Sequence, residues 1–412
     1  MIHMEKQLQR VIFCLFAVLL FLVPLILWPF TSEIFEFNKM ILTYMVTALI
    51  VSTWAIRMVV EKKIIFRRTI LDIPLLVFLV SQLLSTLFSI DPRTSSLGYY
   101  SRFNGGLLST VCYSLLLWAF VSNINAKSAV RLIYITFISA TLVSVYGILE
   151  RFGIDKNIWV QDVQNRIFST LGQPNWLAAF LVALLPLTWG GYLKKPYSYI
   201  LSGLFFTTLL FTKSRSGLLA FAIADVIFWG LTFVKDRGLF SKGFWKFNIV
   251  FLILFLIIGN PFRGSNIQSQ APSGPALETG GTESGAIRKI VWKGAFEIWK
   301  HYPVFGTGVE TFAYSYYKFR PATHNLVSEW DFIYNKAHNE YLNLAANTGT
   351  VGLAAYLFLT GTSVLLFIRK SRFDLMAGYV GLLVTNFFGF SVVPTQLLFF
   401  LFPALVLTQD EK

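Results

Sequence analysis

The segment Lys336-Ala-His-Asn-Glu-Tyr-Leu-Asn-Leu-Ala-Ala-Asn-Thr-Gly-Thr-Val-Gly352 places a polar, histidine-bearing stretch directly before a long apolar one. Four of its residues recur at helical spacing: His338, Tyr341, Leu342 and Ala345. This pattern predicts an amphipathic helix with His338 on its packed face. The segment therefore joins residues that could carry chemistry to a stretch that could enter the membrane.

The same segment also carries a signal that ends a helix. Asn347-Thr-Gly349 is expected to stop the first helix. A second helix should begin near Thr350 and run apolar to Phe367, which is long enough to cross a bilayer. His338 is therefore expected in an extramembrane layer just above the lipid.

The composition of the whole chain agrees with a membrane protein. Of 412 residues, 55% are hydrophobic and 14% are charged, and the mean hydropathy is +0.61. These values are too apolar for a water-soluble globule and predict an all-α, polytopic helical membrane protein. The net charge of +14 is attributed to basic cytoplasmic loops, and no nucleic-acid partner is expected because no nucleic-acid-binding module is found.

The apolar runs predict about twelve transmembrane helices. They lie at roughly 11–30, 40–60, 71–90, 106–123, 130–149, 175–192, 197–212, 216–234, 247–260, 348–368, 375–392 and 395–408. The first run lacks a small-x-small cleavage site, so it is interpreted as an uncleaved span. We expect three parts: a bundle of about nine spans in residues 1–260, an extracytoplasmic loop subdomain in 261–346, and C-terminal transmembrane helices in 347–412.

Short cytoplasmic loops collect Lys and Arg, which allows the orientation to be predicted. If the N-terminus is cytoplasmic, every inner loop is basic: Lys62, Lys63, Arg67, Arg68; Lys127, Arg131; Lys194, Lys195; Lys235, Arg237, Lys242, Lys246; and Arg369, Lys370, Arg372. The even span count returns the C-terminus to the cytoplasm. The loop at 261–346 is then extracytoplasmic.

This large loop has two predicted parts. Arg263 to Gly285 is rich in Gly, Ser, Pro and Gln, which indicates an irregular segment. From Ala286 to Lys300, apolar residues recur at helical period, and Pro303 follows. This second part predicts a surface helix within a small helical subdomain.

Lys213-Ser-Arg-Ser-Gly217 puts two cations in a short turn that the orientation places outside. Ser214 can cap the following helix, whose N-terminus favours an anion, and Arg215 offers a two-donor fork for phosphate oxygens. The alternative is an arginine anchored at the lipid headgroups.

Several of these stretches together resemble the O-antigen ligase and polymerase (Wzy-type) superfamily of bacterial membrane glycosyltransferases. The resemblance rests on the His338-Asn-Glu-Tyr-Leu block with the glycines that follow, the Ser-Arg-Ser-Gly turn, and Arg288 followed by a tryptophan and Pro303-Val-Phe-Gly-Thr-Gly308. Two earlier external stretches are also similar to family patterns, Tyr99 to Gly106 and Arg166 to Asn175. These motifs occur in the order that the superfamily has.

The resemblance implies transfer of a glycan from an undecaprenyl-pyrophosphate donor to an acceptor hydroxyl, in the bacterial cytoplasmic (inner) membrane and without a cofactor. His338 is then the catalytic base, and Arg215 and Arg288 hold the donor pyrophosphate. Residues of secondary rank are Ser214, Ser216, Arg102, Arg166, Asn339, Glu340 and Tyr341. No metal is expected, because the histidines show no ligand spacing and Cys14 and Cys112 lie inside apolar runs.

Other functions stay open at this point. About twelve spans also suit a transporter or flippase of envelope precursors, although the two similar halves typical of carriers are not found. The acceptor is a glycan, a lipid or a protein hydroxyl, so O-antigen ligase, polymerase and protein O-oligosaccharyltransferase all fit the motifs.

Overall fold

The computed structural model describes residues 2–259 and 284–408. All regular secondary structure in these two ranges is helical, as predicted. The helices are α1 (Ile2–Leu22), α2 (Glu36–Glu61), α3 (Asp72–Leu87), α4 (Pro92–Leu97), α5 (Leu107–Asn123), α6 (Ala126–Arg151), α7 (Pro174–Trp189), α8 (Lys195–Phe211), α9 (Arg215–Lys235), α10 (Arg237–Ile258), α11 (Ser284–His301), α12 (Phe312–Phe319), α13 (Glu340–Arg369), α14 (Phe373–Phe387) and α15 (Val393–Thr408). Two 3-10 turns lie at Ser169–Leu171 and Ala322–Leu326.

Each of the twelve predicted apolar runs overlaps one of these helices. Five helices are long and apolar enough to cross a membrane: α2, α6, α9, α10 and α13. Six others are apolar but shorter: α3, α5, α7, α8, α14 and α15. Multiple membrane-spanning helices are therefore found, while the count of twelve and the orientation of the chain stay predictions.

Two short helices form the centre of the bundle. All residues of α7 except Asn175, and all residues of α15 except Gln396, are buried. A helix that is apolar around its whole circumference has no face for polar surroundings, so other helices must surround it. The N-terminal ends of these two central helices, near Pro174 and Val393, lie close to the residues predicted to carry chemistry.

A second apolar core lies outside the bundle. It is built from α11 residues Ile287, Val291, Ala295 and Ile298, together with Phe312, Tyr316, Val327, Tyr334, Ala337 and Ala346. This core confirms the predicted helix at 286–300, and we call residues 284–338 the cap. Backbone hydrogen bonds join the cap to the bundle, from Ile90 N to Thr307 O at 2.9 Å and from Gly308 N to Asn347 O at 2.9 Å.

The helix break predicted at Asn347-Thr-Gly349 is confirmed. Within α13, Gly349 has φ 65° and ψ −168°, which is not helical. A side chain at this position would clash with the Val304 carbonyl. Glycine is required here both by the positive φ and by the close approach of the cap backbone.

The predicted irregular segment Arg263 to Gly285 lies outside the described residues, apart from Ser284 and Gly285, which begin α11. The C-terminal residues 409–412 also lie outside them. The boundaries at 260 and 346 stay predictions.

Candidate active site

His338 does not lie on the helix that the spacing predicted. It precedes α13 and has a left-handed backbone with φ 53°. Asn339 is the N-cap, with φ −156°, and its side chain accepts a hydrogen bond from Leu342 N at 3.1 Å. Because an N-cap residue has non-helical backbone angles, the helix cannot extend back to His338. The prediction that His338 shares the packed face of a helix was therefore wrong.

The backbone on both sides of His338 is held by side-chain amides. Asn339 caps α13, and the side-chain oxygen of Asn343 accepts a hydrogen bond from Ala337 N at 3.2 Å. These bonds fix the chain one residue before and one residue after the imidazole. The left-handed conformation at His338 is thus imposed by its neighbours.

His338 lines a small polar cavity between the cap and the bundle. The cavity has a volume of about 20 Å³, which is enough for about one water molecule. Its lining residues are Gln173, Asn175, Trp176, Ala179, Ser216, Arg288, His338, Thr385, Asn386, Phe388, Gly389 and Phe390. Three sequence-predicted residues, Ser216, Arg288 and His338, therefore meet here from three separate parts of the chain.

The surroundings of His338 favour its neutral form. Its ring lies 5.8 Å from the ring of Tyr334 and 5.5 Å from that of Phe390, measured between centroids. Burial, followed by the positive charges of Arg288 and Arg102, lowers the pKa of His338 from 6.5 to about 4. A neutral imidazole can accept a proton, so the residue has the protonation state that a general base needs at neutral pH.

Arg288 projects from the second turn of α11 into the same cavity. Among the described residues its guanidinium has no hydrogen-bond or salt-bridge partner. Burial lowers the pKa of Arg288, and the nearby Tyr334 and Glu329 act in the opposite direction. A half-buried guanidinium with five N–H donors, none of them bonded to a residue in the described ranges, suits an anionic ligand.

The Ser-Arg-Ser-Gly turn contributes to the site through its serines. Ser214 is buried and is the N-cap of α9, accepting a hydrogen bond from Gly217 N at 3.1 Å. Ser214 also donates to the side-chain oxygen of Asn175 at 2.7 Å, while Ser216 lines the cavity. Arg215 is exposed and does not line the cavity. Its proposed contact with a phosphate therefore requires a ligand that extends beyond the cavity.

Arg166 connects this turn to the stretch Arg166 to Asn175, which the predicted orientation places outside. Its Nε donates to Thr212 O at 3.2 Å. Burial lowers the pKa of Arg166, and the charges of Arg288 and Arg215 lower it further. Arg215 and Arg288 thus each lie close enough to Arg166 to act on it electrostatically.

Part of this site falls within a family match. Residues 200–357 match the family model described as O-antigen ligase. This part of the chain is therefore similar to an O-antigen ligase domain. The matched range includes Arg215, Arg288 and His338, and it confirms the resemblance to the O-antigen ligase and polymerase superfamily. No curated protein matches the chain.

The family assignment and the apolar helices together define the protein in general terms. They indicate an inner-membrane protein of polysaccharide biosynthesis that uses a lipid-linked glycan donor and resembles a membrane glycosyltransferase. The parts of the O-antigen ligase domain that meet at the cavity are the start of α9, the start of α11 and the residues before α13.

Other predicted residues of the site have structural contacts. Tyr341 donates from its hydroxyl to Leu383 O at 2.9 Å, and Asn339 caps α13. Glu340 lies beside Lys336, which forms a buried salt bridge with Glu310. None of Asn339, Glu340 and Tyr341 lines the cavity.

Arg102, ranked as secondary, has an unusual environment. Its guanidinium carbon lies 5.2 Å from the ring centroid of Trp176 and 5.4 Å from that of Phe390. Both aromatic residues line the cavity that contains Arg288 and His338. Arg102 itself does not line the cavity, but it contacts two aromatic residues that do.

Sequence reasoning missed the contribution of residues 385–390. Thr385, Asn386, Phe388, Gly389 and Phe390 all line the cavity. They lie at the end of α14 and in the connection to α15, inside an apolar run that was assigned to a membrane span. The one available signal was Asn386, a polar residue within that run.

Proposed function

We propose that the protein transfers a glycan from an undecaprenyl-pyrophosphate-linked donor to an acceptor hydroxyl during assembly of cell-envelope polysaccharide. The observation that carries the proposal is that Arg288 and neutral His338 line the same cavity. Arg288 has no hydrogen-bond or salt-bridge partner among the described residues. This arrangement pairs an anion-binding group with a proton acceptor. The O-antigen ligase domain supports glycan transfer as the reaction in which both are used.

The roles of these residues follow from where negative charge develops and where the proton goes during the reaction. The acceptor oxygen forms a bond to the anomeric carbon of the donor glycan, and the bond from that carbon to the pyrophosphate oxygen breaks. The departing lipid pyrophosphate keeps the electron pair, and Arg288 and Arg215 stabilise its developing negative charge. His338 accepts the proton of the acceptor hydroxyl. Direct attack on the face opposite the leaving group would invert the anomeric configuration.

The cavity walls suggest which end of the donor lies where. Gln173, Asn175 and Asn386 present neutral amides to the cavity, beside the aromatic ring of Trp176. Amides can both donate to and accept from sugar hydroxyl groups. We place the first sugar of the donor against this wall and its pyrophosphate toward Arg288. Because the cavity holds about one water, the cap must move away from the bundle to admit the substrates.

A reconstituted transfer assay tests this function. Purified protein receives a glycan linked through pyrophosphate to undecaprenol, a candidate acceptor and a chelator. Transfer should occur, and Arg288→Gln should reduce it by at least tenfold, since a charge-assisted hydrogen bond contributes roughly 1.5–3 kcal/mol. A wild-type protein that moves the intact donor across vesicles without breaking its glycosidic bond would instead support the transporter.

The identity of the acceptor requires a second measurement. Deleting the gene and separating envelope polysaccharide on a gel distinguishes the two main acceptors. A collapsed ladder of chain lengths would indicate a polymerase, whereas accumulation of long carrier-linked glycan would indicate a ligase. Loss of glycan from protein alone would indicate an O-oligosaccharyltransferase.

A further inference from the structure

Arg102 is a cation without a polar partner in the described part of the chain. Its Nε is buried and makes no hydrogen bond. The guanidinium instead lies against the ring pair formed by Trp176 and Phe390, at 5.2 Å and 5.4 Å from their centroids. Stacking on aromatic faces leaves the in-plane N–H donors of an arginine available to another group.

The neighbouring cation on the same aromatic ring is different. Lys336 Nζ lies 5.7 Å from the ring centroid of Phe390, but it forms a buried salt bridge with Glu310. Glu36 acts electrostatically on Arg102 but forms no salt bridge with it. The Oε2 atom of Glu36 instead accepts a hydrogen bond from Val393 N at 2.8 Å. Lys336 is therefore paired in a salt bridge, whereas Arg102 forms none with any residue that the structure describes.

Arg102 and His338 both contact the ring of Phe390. The centroid of the His338 ring lies 5.5 Å from that of Phe390, and the Arg102 guanidinium contacts the same ring. Arg102 acts electrostatically on His338, as does Arg288. The imidazole is thus flanked by two arginines, one from α11 and one from the chain before α5.

From this geometry we infer that Arg102 is a further diphosphate-binding residue, which together with Arg288 holds the pyrophosphate of the donor beside His338. The inference rests on the proposed function and names a ligand contact that neither the motif at 213–217 nor Arg288 supplies. The shared chemistry of the ligand is a phosphate oxyanion. Of the two possible sources, the carrier diphosphate and a phospholipid headgroup, we assign the carrier diphosphate, because the site lies beside the proposed base.

This placement has a consequence for the base. The groups that face His338 are Arg288 from α11, Arg102 from the loop before α5, and Tyr334, whose hydroxyl bonds to Glu329. While both arginines lack an anion, a proton on His338 would add a third positive charge. A bound diphosphate neutralises the two arginines and favours protonation, so the base gains strength once the donor is present.

Binding and protonation can be measured separately on the purified full-length protein in phosphatidylcholine nanodiscs. Inorganic pyrophosphate is the probe, titrated by calorimetry against wild type, Arg102→Gln, Arg288→Gln and Arg93→Gln. Arg93 is an exposed arginine of α4 and is the matched control. Arg102→Gln and Arg288→Gln should each weaken binding by about tenfold or more, while Arg93→Gln should bind as wild type does.

The second readout is the titration of His338, followed by NMR of histidine labelled with ¹³C and assigned by comparison with His338→Gln. In wild type, pyrophosphate should raise the midpoint by about 1–3 units, the usual effect of an opposite charge nearby. In Arg102→Gln the midpoint should already be higher without pyrophosphate, and it should rise less on addition. A residue that only packs against Trp176 and Phe390 would change neither quantity.

A measurement on wild-type protein avoids any variant that fails to fold. Phenylglyoxal modifies accessible guanidinium groups, and mass spectrometry reports each site. Pyrophosphate should protect Arg102 and leave Arg93 unprotected. Equal modification of Arg102 with and without pyrophosphate would overturn the inference. Equal protection by glycerol 3-phosphate would also overturn it, by showing a headgroup site.

The outcomes also separate this inference from the proposed function. If Arg288→Gln loses binding and transfer while Arg102→Gln retains both, Arg102 only packs against the aromatic rings and the proposed function stands. If wild-type protein neither binds pyrophosphate nor transfers glycan, both proposals fail together.

Discussion

Ser214 donates a hydrogen bond from its hydroxyl to the side-chain oxygen of Asn175 at 2.7 Å. This bond joins the start of α9 to the start of α7, so two motifs that are far apart in the sequence become one structural unit. Ser214 simultaneously caps α9 through Gly217 N. The turn that carries Arg215 and Ser216 is therefore fixed by a buried hydroxyl.

Ser214→Ala should destabilise the protein by about 1–2 kcal/mol, since it removes a helix cap and leaves Asn175 without that donor. Thermal unfolding in detergent measures the change. Ser216→Ala is the control. The Ser216 hydroxyl lies 3.2 Å from that of Ser214 but caps no helix. Equal unfolding temperatures for Ser214→Ala and wild type would show that the buried bond contributes nothing to stability.

The predicted orientation is tested by labelling single cysteines in a background free of Cys14 and Cys112. Thr323 is an exposed residue of the cap, and Ser241 is an exposed residue of α10 in a predicted cytoplasmic loop. In intact cells a membrane-impermeant thiol reagent should label Thr323→Cys and not Ser241→Cys. Labelling of both positions, or of Ser241→Cys alone, would contradict the orientation.

The helical elements were predictable because apolar runs and helix signals are local. The runs overlap all twelve bundle helices, the periodicity at 286–300 predicted α11, and Asn347-Thr-Gly349 predicted the break in α13. The predicted position of His338 within a helix was wrong for a reason that is also local. The spacing of Tyr341, Leu342 and Ala345 fits a helix, but Asn339 is a strong N-cap and excludes the residue before it.

The composition of the cavity could not be predicted in the same way. Phe390 and Asn386 reach it from the connection between α14 and α15, and Trp176 reaches it from the start of α7. Hydropathy assigns such residues to membrane spans and contains no information about which helix ends meet. The motifs indicated Arg288 and His338, whereas the position of Arg102 against two aromatic rings required the packed structure.

Arg215→Lys should impair transfer although it conserves the charge. A lysine cannot form the planar two-donor contact to phosphate, and each lost charge-assisted hydrogen bond costs roughly 1.5–3 kcal/mol. Initial rates at saturating donor, normalised to folded protein, provide the measurement. Normal transfer by the lysine variant would show that exposed Arg215 serves as an anchor at the membrane surface.

The pH dependence of kcat/KM should reflect the lowered pKa of His338. This parameter reports the free enzyme, in which burial and the nearby Arg288 and Arg102 lower the pKa of His338 to about 4. Because the base must be unprotonated, kcat/KM should stay constant as the pH falls from 7 to 5 and should decline only near 4. A decline centred near 6.5, the ordinary value for histidine, would show that the free enzyme does not hold His338 beside unneutralised arginines.

The decisive substitutions are at His338 itself, and its backbone determines how they are designed. His338 has φ 53°, a conformation that Asn tolerates better than most residues do. His338→Asn therefore tests the loss of the imidazole with the least backbone strain. His338→Gln keeps a hydrogen-bonding side chain that cannot accept a proton at neutral pH. A catalytic base predicts that both variants lose on the order of 10²–10⁴-fold in transfer.

His324 provides the matched control for these variants. It is fully buried in the cap, and its Nδ1 lies 2.6 Å from the Tyr316 hydroxyl, so its contacts are those of a structural histidine. His324→Gln should lower the unfolding temperature while the folded fraction retains its specific activity. His338→Asn and His338→Gln should show the opposite pattern, because Asn339 and Asn343 hold the backbone without the imidazole and Arg288 still binds pyrophosphate. Substantial turnover by both His338 variants in the presence of chelator would remove His338 from the mechanism and leave the arginines as the supported part of the site.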